Sequence, residues 1–286
     1  MHDLVIRGAS VHDGLGNAPR IAEVAIDRGR VTTIGAVTEP ARQEVDARGL
    51  TLMPGIVDLH THFDAQVTWD RTLSPSPALG VTTAVLGNCG FGIAPCPAPL
   101  RETMIKNLQQ LRRIGPYLNT AVFAGHSVLR TAVMGEAGSE QVEPTDEQID
   151  TMCRLLRESM QDGAIGLASS FSPNHSGYGG RPMPSTIATE RELKALTGVL
   201  GEIGKGVFMM ATGPRGTPDM MESIAQANGR PAYISTVLTM YNEANPGLGI
   251  TYYDRCAQAL DRGNEVYILT SCQPLSFDFT LTDPYV

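Results

Sequence analysis

Apolar and polar positions along the 286-residue chain change their rhythm at Pro54. Before it, short stretches alternate with the period of strands. Leu4–Val11 predicts a strand, Glu23–Ile26 and Arg30–Gly35 predict a hairpin across Asp27-Arg28-Gly29, and Glu44–Ala47 alternates apolar and polar. These segments predict a small antiparallel sheet over residues 1–53, too short to bury much by itself. After Pro54, apolar runs of strand length alternate with stretches of helical period. The predicted strands are Ile56–Leu59, Val81–Leu86, Leu118–Ala124, Gly163–Leu167, Val207–Met210, Ala232–Leu238 and Val266–Thr270. Helices are predicted around Leu100–Ile114, behind the capping boxes Thr145–Gln148 and Thr189–Glu192, around Asp219–Ala227, and over Tyr252–Arg262. Strand and helix alternating in this way predict a parallel α/β fold. About seven strands over residues 54–286 are one short of a (β/α)8 barrel, so the expectation is a TIM-type barrel that is incomplete. The irregular stretch Ser172–Thr186 has the length of a lid or substrate-facing loop, or of a plain surface excursion.

The second segment opens on Pro54-Gly55-Ile56-Val57-Asp58-Leu59-His60-Thr61-His62-Phe63-Asp64. The apolar run predicts a buried strand, and side chains two apart leave a strand on one face. His60 and His62 are thereby expected to converge at the carboxyl end of that strand, as metal-ligating imidazoles do, with zinc a usual guest. A His-x-His pair on a half-buried strand also arises by chance. The Pro-Gly entry, the apolar run and the trailing Asp64 favour the metal reading.

Cys89, in Gly87-Asn88-Cys89-Gly90 after the second strand, is a candidate thiolate ligand, against the common alternative of an inert buried thiol. His126, beside Gly125 at the end of the third strand, is a candidate ligand, proton carrier or substrate partner, or an orienting histidine behind such groups. Asp64 and Asp70 either orient the histidines or cap loops. His175 reads as a surface residue, and His2 and His12 receive no role. Cys96 is placed in a loop, while Cys153, Cys256 and Cys272 read as packing. No Gly-Lys-Ser/Thr phosphate loop and no Gly-x-Ser-x-Gly elbow is present.

Composition narrows the partners. The chain is 42% apolar and 18% charged, with a formal net charge of −8. No dense Lys/Arg cluster suggests a nucleic-acid footprint, and no apolar run of membrane-spanning length suggests a bilayer partner. Five cysteines spread along the chain do not read as a disulfide framework, so a cytoplasmic location is expected.

The small sheet, the Pro54–Asp64 stretch, and Gly80-Val81-Thr82-Thr83 followed by Gly87-Asn88-Cys89-Gly90 resemble the amidohydrolase superfamily, and within it the D-aminoacylase group (N-acyl-D-amino-acid deacylases). Gly125–Arg130, Val133-Met134-Gly135, Gly163–Leu167, Asn174-His175 and Gly180–Ser185 extend the likeness over nearly the whole chain. The resemblance implies a small N-terminal sheet that is half of a composite sandwich, and a barrel holding one or two zinc ions or another divalent metal. It implies His60, His62 and Cys89 as ligands and an N-acyl amino acid or related amide as substrate. The group also places metal histidines at the ends of strands five and six and a catalytic aspartate on strand eight. Here Val207–Thr212 and Tyr233–Thr236 carry no histidine, and Val286 comes before any eighth strand. The catalytic aspartate is therefore expected to lie beyond this sequence, with His126 the remaining catalytic candidate. An incomplete form of the enzyme with little activity of its own is expected, partnered by a complementing C-terminal fragment or by copies of itself. The alternatives are a non-catalytic barrel remnant or half of a split enzyme, and a cyclic amidase or deaminase of the same superfamily.

Overall fold

The computed structural model describes residues 1–90, 115–173, 175–176, 180–235 and 243–270. The chain forms two compact units, Met1–Ile56 and Val57–Val286. The helix expected around Leu100–Ile114, Cys96 and Cys272 lie outside the described residues.

In the first unit, β1 (His2–Val11) lies at the centre of a five-stranded sheet. β2 (Arg20–Asp27) and β3 (Arg30–Gly35) form the expected antiparallel hairpin against it. β4 (Ala41–Asp46) and β5 (Thr51–Leu52) pair with β1 in parallel, so the sheet is mixed and not antiparallel throughout. The reason is the return path after β3. Residues 36–40 cross back before β4 starts, and Val37 packs with Val5, Ala25 and Ala41. Its N–H donates to Glu23 (2.8 Å), and its carbonyl accepts from Arg7 (2.6 Å). Alternation along a strand tells which side chains share a face. It does not tell which strand lies next to which.

In the second unit, β6 (Ile56–Asp58), β7 (Val81–Leu86) and β8 (Asn119–Val122) form one sheet; β9 (Ala124–Gly125), β10 (Gly166–Ser170), β11 (Val207–Ala211), β12 (Ala232–Ser235) and β13 (Val266–Leu269) form a second. β7 pairs with β8 in parallel, and each neighbour from β9 to β13 does likewise. The single strand expected over Leu118–Ala124 is divided at Phe123. Its β8 half joins β7 and its β9 half joins β10, while the Phe123 N–H donates to Leu86 O (2.9 Å). One chain segment thus serves both sheets. The expected buried strand at Ile56 is instead a three-residue edge strand with Ile56 and Val57 exposed, because among the described strands β7 alone pairs with it.

The α-helices among the described residues are α1 (His126–Met134), α2 (Asp146–Gln161), α3 (Glu190–Glu202), α4 (Pro218–Asn228) and α5 (Leu248–Asp261). The capping box at α2 is complete, Thr145 and Gln148 each bonding the other's backbone N–H. Thr189 caps α3 through the Glu192 N–H (3.3 Å), but the Glu192 side chain turns away to a buried partner described below. α1 was not foreseen, since Gly125-His126 reads as a strand end.

Strand parity sorts the side chains into two layers. Leu167, Phe208, Met210 and Ile234 pack outward on Met152, Leu156, Leu193, Leu196 and Met221 of the helices. Val85, Phe123, Ala168 and Met209 pack inward with Ala121, Ile165, Val207, Tyr233 and Leu269. Side chains from both sheets therefore share one inner core. At Gly166 an added Cβ would lie 1.9 Å from Val207 O, so a side chain there would force β10 and β11 apart.

Glu222 on α4 accepts from Arg262 (2.7 and 2.6 Å), after α5, and from Asn264 (2.8 Å), before β13. The Arg262 bond is the largest cause holding this carboxyl down to about 2. A depressed carboxyl stabilises the fold above its unfolded value, near 4.3, and loses that contribution as pH falls through its folded value. Glu222→Gln is therefore expected to lower stability relative to the parent above about pH 5 and to match it near pH 2. Urea unfolding at several pH values checks this; a stability difference independent of pH would contradict it.

Candidate metal centre

β6 ends at Asp58, so the histidines follow the strand instead of lying on it. Thr61, between them, is tied to β7: its N–H (3.2 Å) and its hydroxyl (2.7 Å) both donate to Val85 O. This pins the segment while His60 and His62 lean the same way, their ring centroids 5.1 Å apart and edge-on. Cys89 approaches from the turn after β7. Its Sγ lies 3.3 Å from His60 Nε2 and 3.8 Å from His62 Nε2. The three donor atoms all lie within 4.8 Å of one another. Two imidazoles and a thiol so close suit a borderline cation such as zinc.

The Cys89 turn is tightly held. Cys89 itself has φ 57° and ψ 18°, the left-handed region that a side chain seldom occupies. Gly87 before it has φ +80°, and a Cβ there would meet Phe123 O at 2.6 Å. The Gly87 N–H donates to Asp64 Oδ1 (2.8 Å). A Cβ on Gly90 would meet the hydroxyls of Ser185 and Ser127, a buried pair 2.9 Å apart.

The surroundings favour the neutral form of all three groups. Burial, followed by the charges of His62 and His175, lowers His60 to about 4. Loss of hydration lowers His62 although it reaches the surface, and Asp64 opposes that shift. Burial, with Asp64 adding to it, pushes the Cys89 thiol up to about 12. Burial also raises Asp64, against the pull of the Gly87 N–H and His62. Neutral imidazoles are ready ligands, whereas the thiol needs a cation beside it to ionise. His60 is also oriented: its Nδ1 is hydrogen-bonded to Ser235 Oγ at the end of β12 (2.7 Å), which leaves Nε2 facing Cys89.

The remaining candidates sort by position. His126 does not end a strand: it opens α1, and it is outside the donor cluster of His60, His62 and Cys89. It is fully buried, with Nδ1 on Ser169 Oγ (2.8 Å) and Nε2 on Glu192 Oε1 (2.8 Å), and Glu192 also pairs with buried Arg130. Ser169 shares outward parity with Leu167, so this network lies in the helix layer. Ser170, with the opposite parity, is hydrogen-bonded to His175 Nδ1 (2.6 Å). His175 is half-buried and close enough to shift His60, unlike the surface residue expected. Asp58 accepts from the His60 N–H (3.2 Å). Asp70 caps its own loop, accepting from Thr72, Ser74 and Gln66. Cys256 is buried and Cys153 partly so, both against the helix-layer core.

Sequence reasoning missed Ser235, the Ser170–His175 pair and the Glu192–Arg130 partnership. Ser235 carries no motif. Glu192 carried a signal that pointed elsewhere, being the third residue after a helix-capping threonine.

Residues 43–267 match the sequence model described as the Amidohydrolase family. A D-aminoacylase of Alcaligenes xylosoxydans xylosoxydans is 36% identical over 188 residues, covering 60% of this chain and 38% of that protein. A solved D-aminoacylase described for its binuclear metal centre superposes with a TM-score of 0.78 at 27% identity, covering 94% of this chain and 58% of that one. An N-acyl-D-glutamate deacylase from Bordetella bronchiseptica, solved with zinc and a phosphonate mimic of the tetrahedral intermediate, gives 0.74 at 25% identity, covering 93% and 58%. The chain spans 38% of the Alcaligenes D-aminoacylase, 37% of an N-acyl-D-aspartate deacylase and 42% of an N-acyl-D-glutamate deacylase of the same organism, well under half of each.

Removing one partner of a buried ion pair strands the other charge. Glu192→Ala, which leaves Arg130 buried and uncompensated, is expected to cost about 3–5 kcal/mol. Denaturant unfolding measures it, and a loss within about 0.5 kcal/mol, the range of surface substitutions, would contradict a structural role for the network.

Proposed function

This chain belongs to the amidohydrolase family, and from that footing we propose that it carries the metal-binding part of a hydrolase that cleaves C–N amide bonds, with N-acyl-D-amino acids as the substrate class. The observation that carries the reading is the convergence of His60, His62 and Cys89. The names of the relatives, D-aminoacylase, N-acyl-D-aspartate deacylase and N-acyl-D-glutamate deacylase, support the substrate class. In the same reading the two sheets of β6–β13 form most of a TIM-type barrel, with the ligands near the carboxyl ends of its strands.

His60 Nε2, His62 Nε2 and Cys89 Sγ would hold the metal, zinc in this proposal. A divalent metal there would lower the pKa of a water from about 15.7 towards 7 and would polarise an amide carbonyl. The chain's own residues prepare that chemistry. Ser235 fixes the His60 ring, and Cys89 would give up its proton on binding. His62, which reaches the surface, leaves the centre open to substrate from its side.

Proton transfer to the leaving amine needs a further group, worth about 10²–10⁴-fold. The carboxylates beside the centre, Asp58 and Asp64, are each held by a backbone N–H. We assign the proton shuttle to neither, so the described residues beside the centre supply the metal site and not that step. This chain alone is then expected to bind zinc and to turn over N-acyl-D-amino acids barely faster than a His60→Ala control.

Equilibrium dialysis with zinc is the first test. About one tightly held ion per chain is expected, lost in His60→Ala, His62→Ala and Cys89→Ser. No uptake by the parent protein would refute the metal centre. Turnover far above the His60→Ala control would instead show that a group of this chain carries the proton.

A further inference from the structure

Asn88, next to Cys89, is buried completely, yet its amide oxygen has no hydrogen-bond partner among the described residues. A buried polar atom without a partner is unfavourable, and an apolar residue would avoid the cost. The other end of the same amide explains why a polar residue stands here. Nδ2 donates to Thr61 O (3.1 Å) and to Val85 O (2.8 Å). Both partners are carbonyls, which only accept, so the amide can sit one way round. Thr61 is the residue between the two histidines. Asn88 precedes the cysteine. A single side-chain amide thereby spans the two segments that supply all three metal-binding atoms.

The geometry around it gives this bridge leverage. Val85 O collects three donors, from Thr61 N, Thr61 Oγ1 and Asn88 Nδ2. Cys89 occupies a left-handed conformation, and such a conformation persists only where its surroundings impose it. On the far side, Gly87 is blocked by Phe123 O, and Gly90 sits on the Ser127–Ser185 pair. The turn is gripped at both glycines, and two bonds tie it directly to the histidine segment: the Asn88 amide to Thr61 O, between the two histidines, and the Gly87 N–H to Asp64, after them.

We infer that Asn88 is a positioning residue that sets the separation between the His60–His62 pair and Cys89, an inference that rests on the metal-centre reading for its functional meaning. Replacing it leaves every ligand in place and removes the brace that reaches between the two histidines, while the Gly87–Asp64 bond remains. Supporting groups of this kind alter metal affinity by about 10–100-fold when lost.

The test uses the full chain, stripped of metal, as the parent protein, Asn88→Ala and Asn88→Asp. Asp keeps the shape but cannot donate to two carbonyls, so it remains informative if the alanine variant does not fold. Asn119→Ala, an exposed amide that bonds Thr82 O, is the control. Cobalt(II) titration reads affinity and the thiolate-to-cobalt absorption band. Alkylation of Cys89 by iodoacetamide without metal, followed by peptide mapping, reads the freedom of the turn independently. The inference expects cooperatively folded variants whose cobalt affinity falls about 10–100-fold, whose thiolate band weakens, and whose Cys89 alkylates faster than in parent and control. Unchanged affinity and band in the folded variants would overturn it while leaving the metal centre standing. If the parent protein takes up no cobalt, the metal-centre reading fails, and alkylation then decides the positioning claim: faster reaction in the variants upholds it, equal rates overturn it.

Discussion

The centre depends on one carbonyl. Val85 O, near the end of β7, accepts from the Thr61 N–H, the Thr61 hydroxyl and the Asn88 amide. These bonds tie the histidine segment to β7 and the cysteine turn to both. An imidazole and a thiol standing at 3.3 Å need backbones fixed to a fraction of that distance. Buried hydrogen bonds do this better than apolar packing, since each fixes a direction as well as a distance.

The polar groups of the second unit are divided by the parity of β10. Ser170 reaches His175 on the side of the inner core, and Ser169 reaches His126, Glu192 and Arg130 on the side of the helices. The outer network joins α1, α3 and β10 and uses both ring nitrogens of His126. It has the satisfied partners expected of buried charge. The inner set is different in kind. It brings two imidazoles and a thiol close together where burial favours the neutral form of each, an arrangement that fits a metal ion better than it fits packing.

Sequence pattern by itself carried the change from strands to alternating strands and helices at Pro54, the hairpin at Asp27-Arg28-Gly29, the capping box at Thr145, and His60, His62 and Cys89 as the group to watch. Each of these is a local signal, read within a few residues, or a motif with little freedom. The tertiary structure decided the rest. It made the first sheet mixed, by sending residues 36–40 back across to β1. It split the third strand at Phe123, so that its halves serve two sheets, and left Ile56 and Val57 on an exposed edge. It moved His126 into the helix layer, drew His175 towards the histidines, and recruited Ser235 from 175 positions away to orient His60. Periodicity along a chain reports which side of an element a residue faces. Which element lies opposite is settled when the strands take their order in space, and a lone serine or asparagine acquires its partner only then.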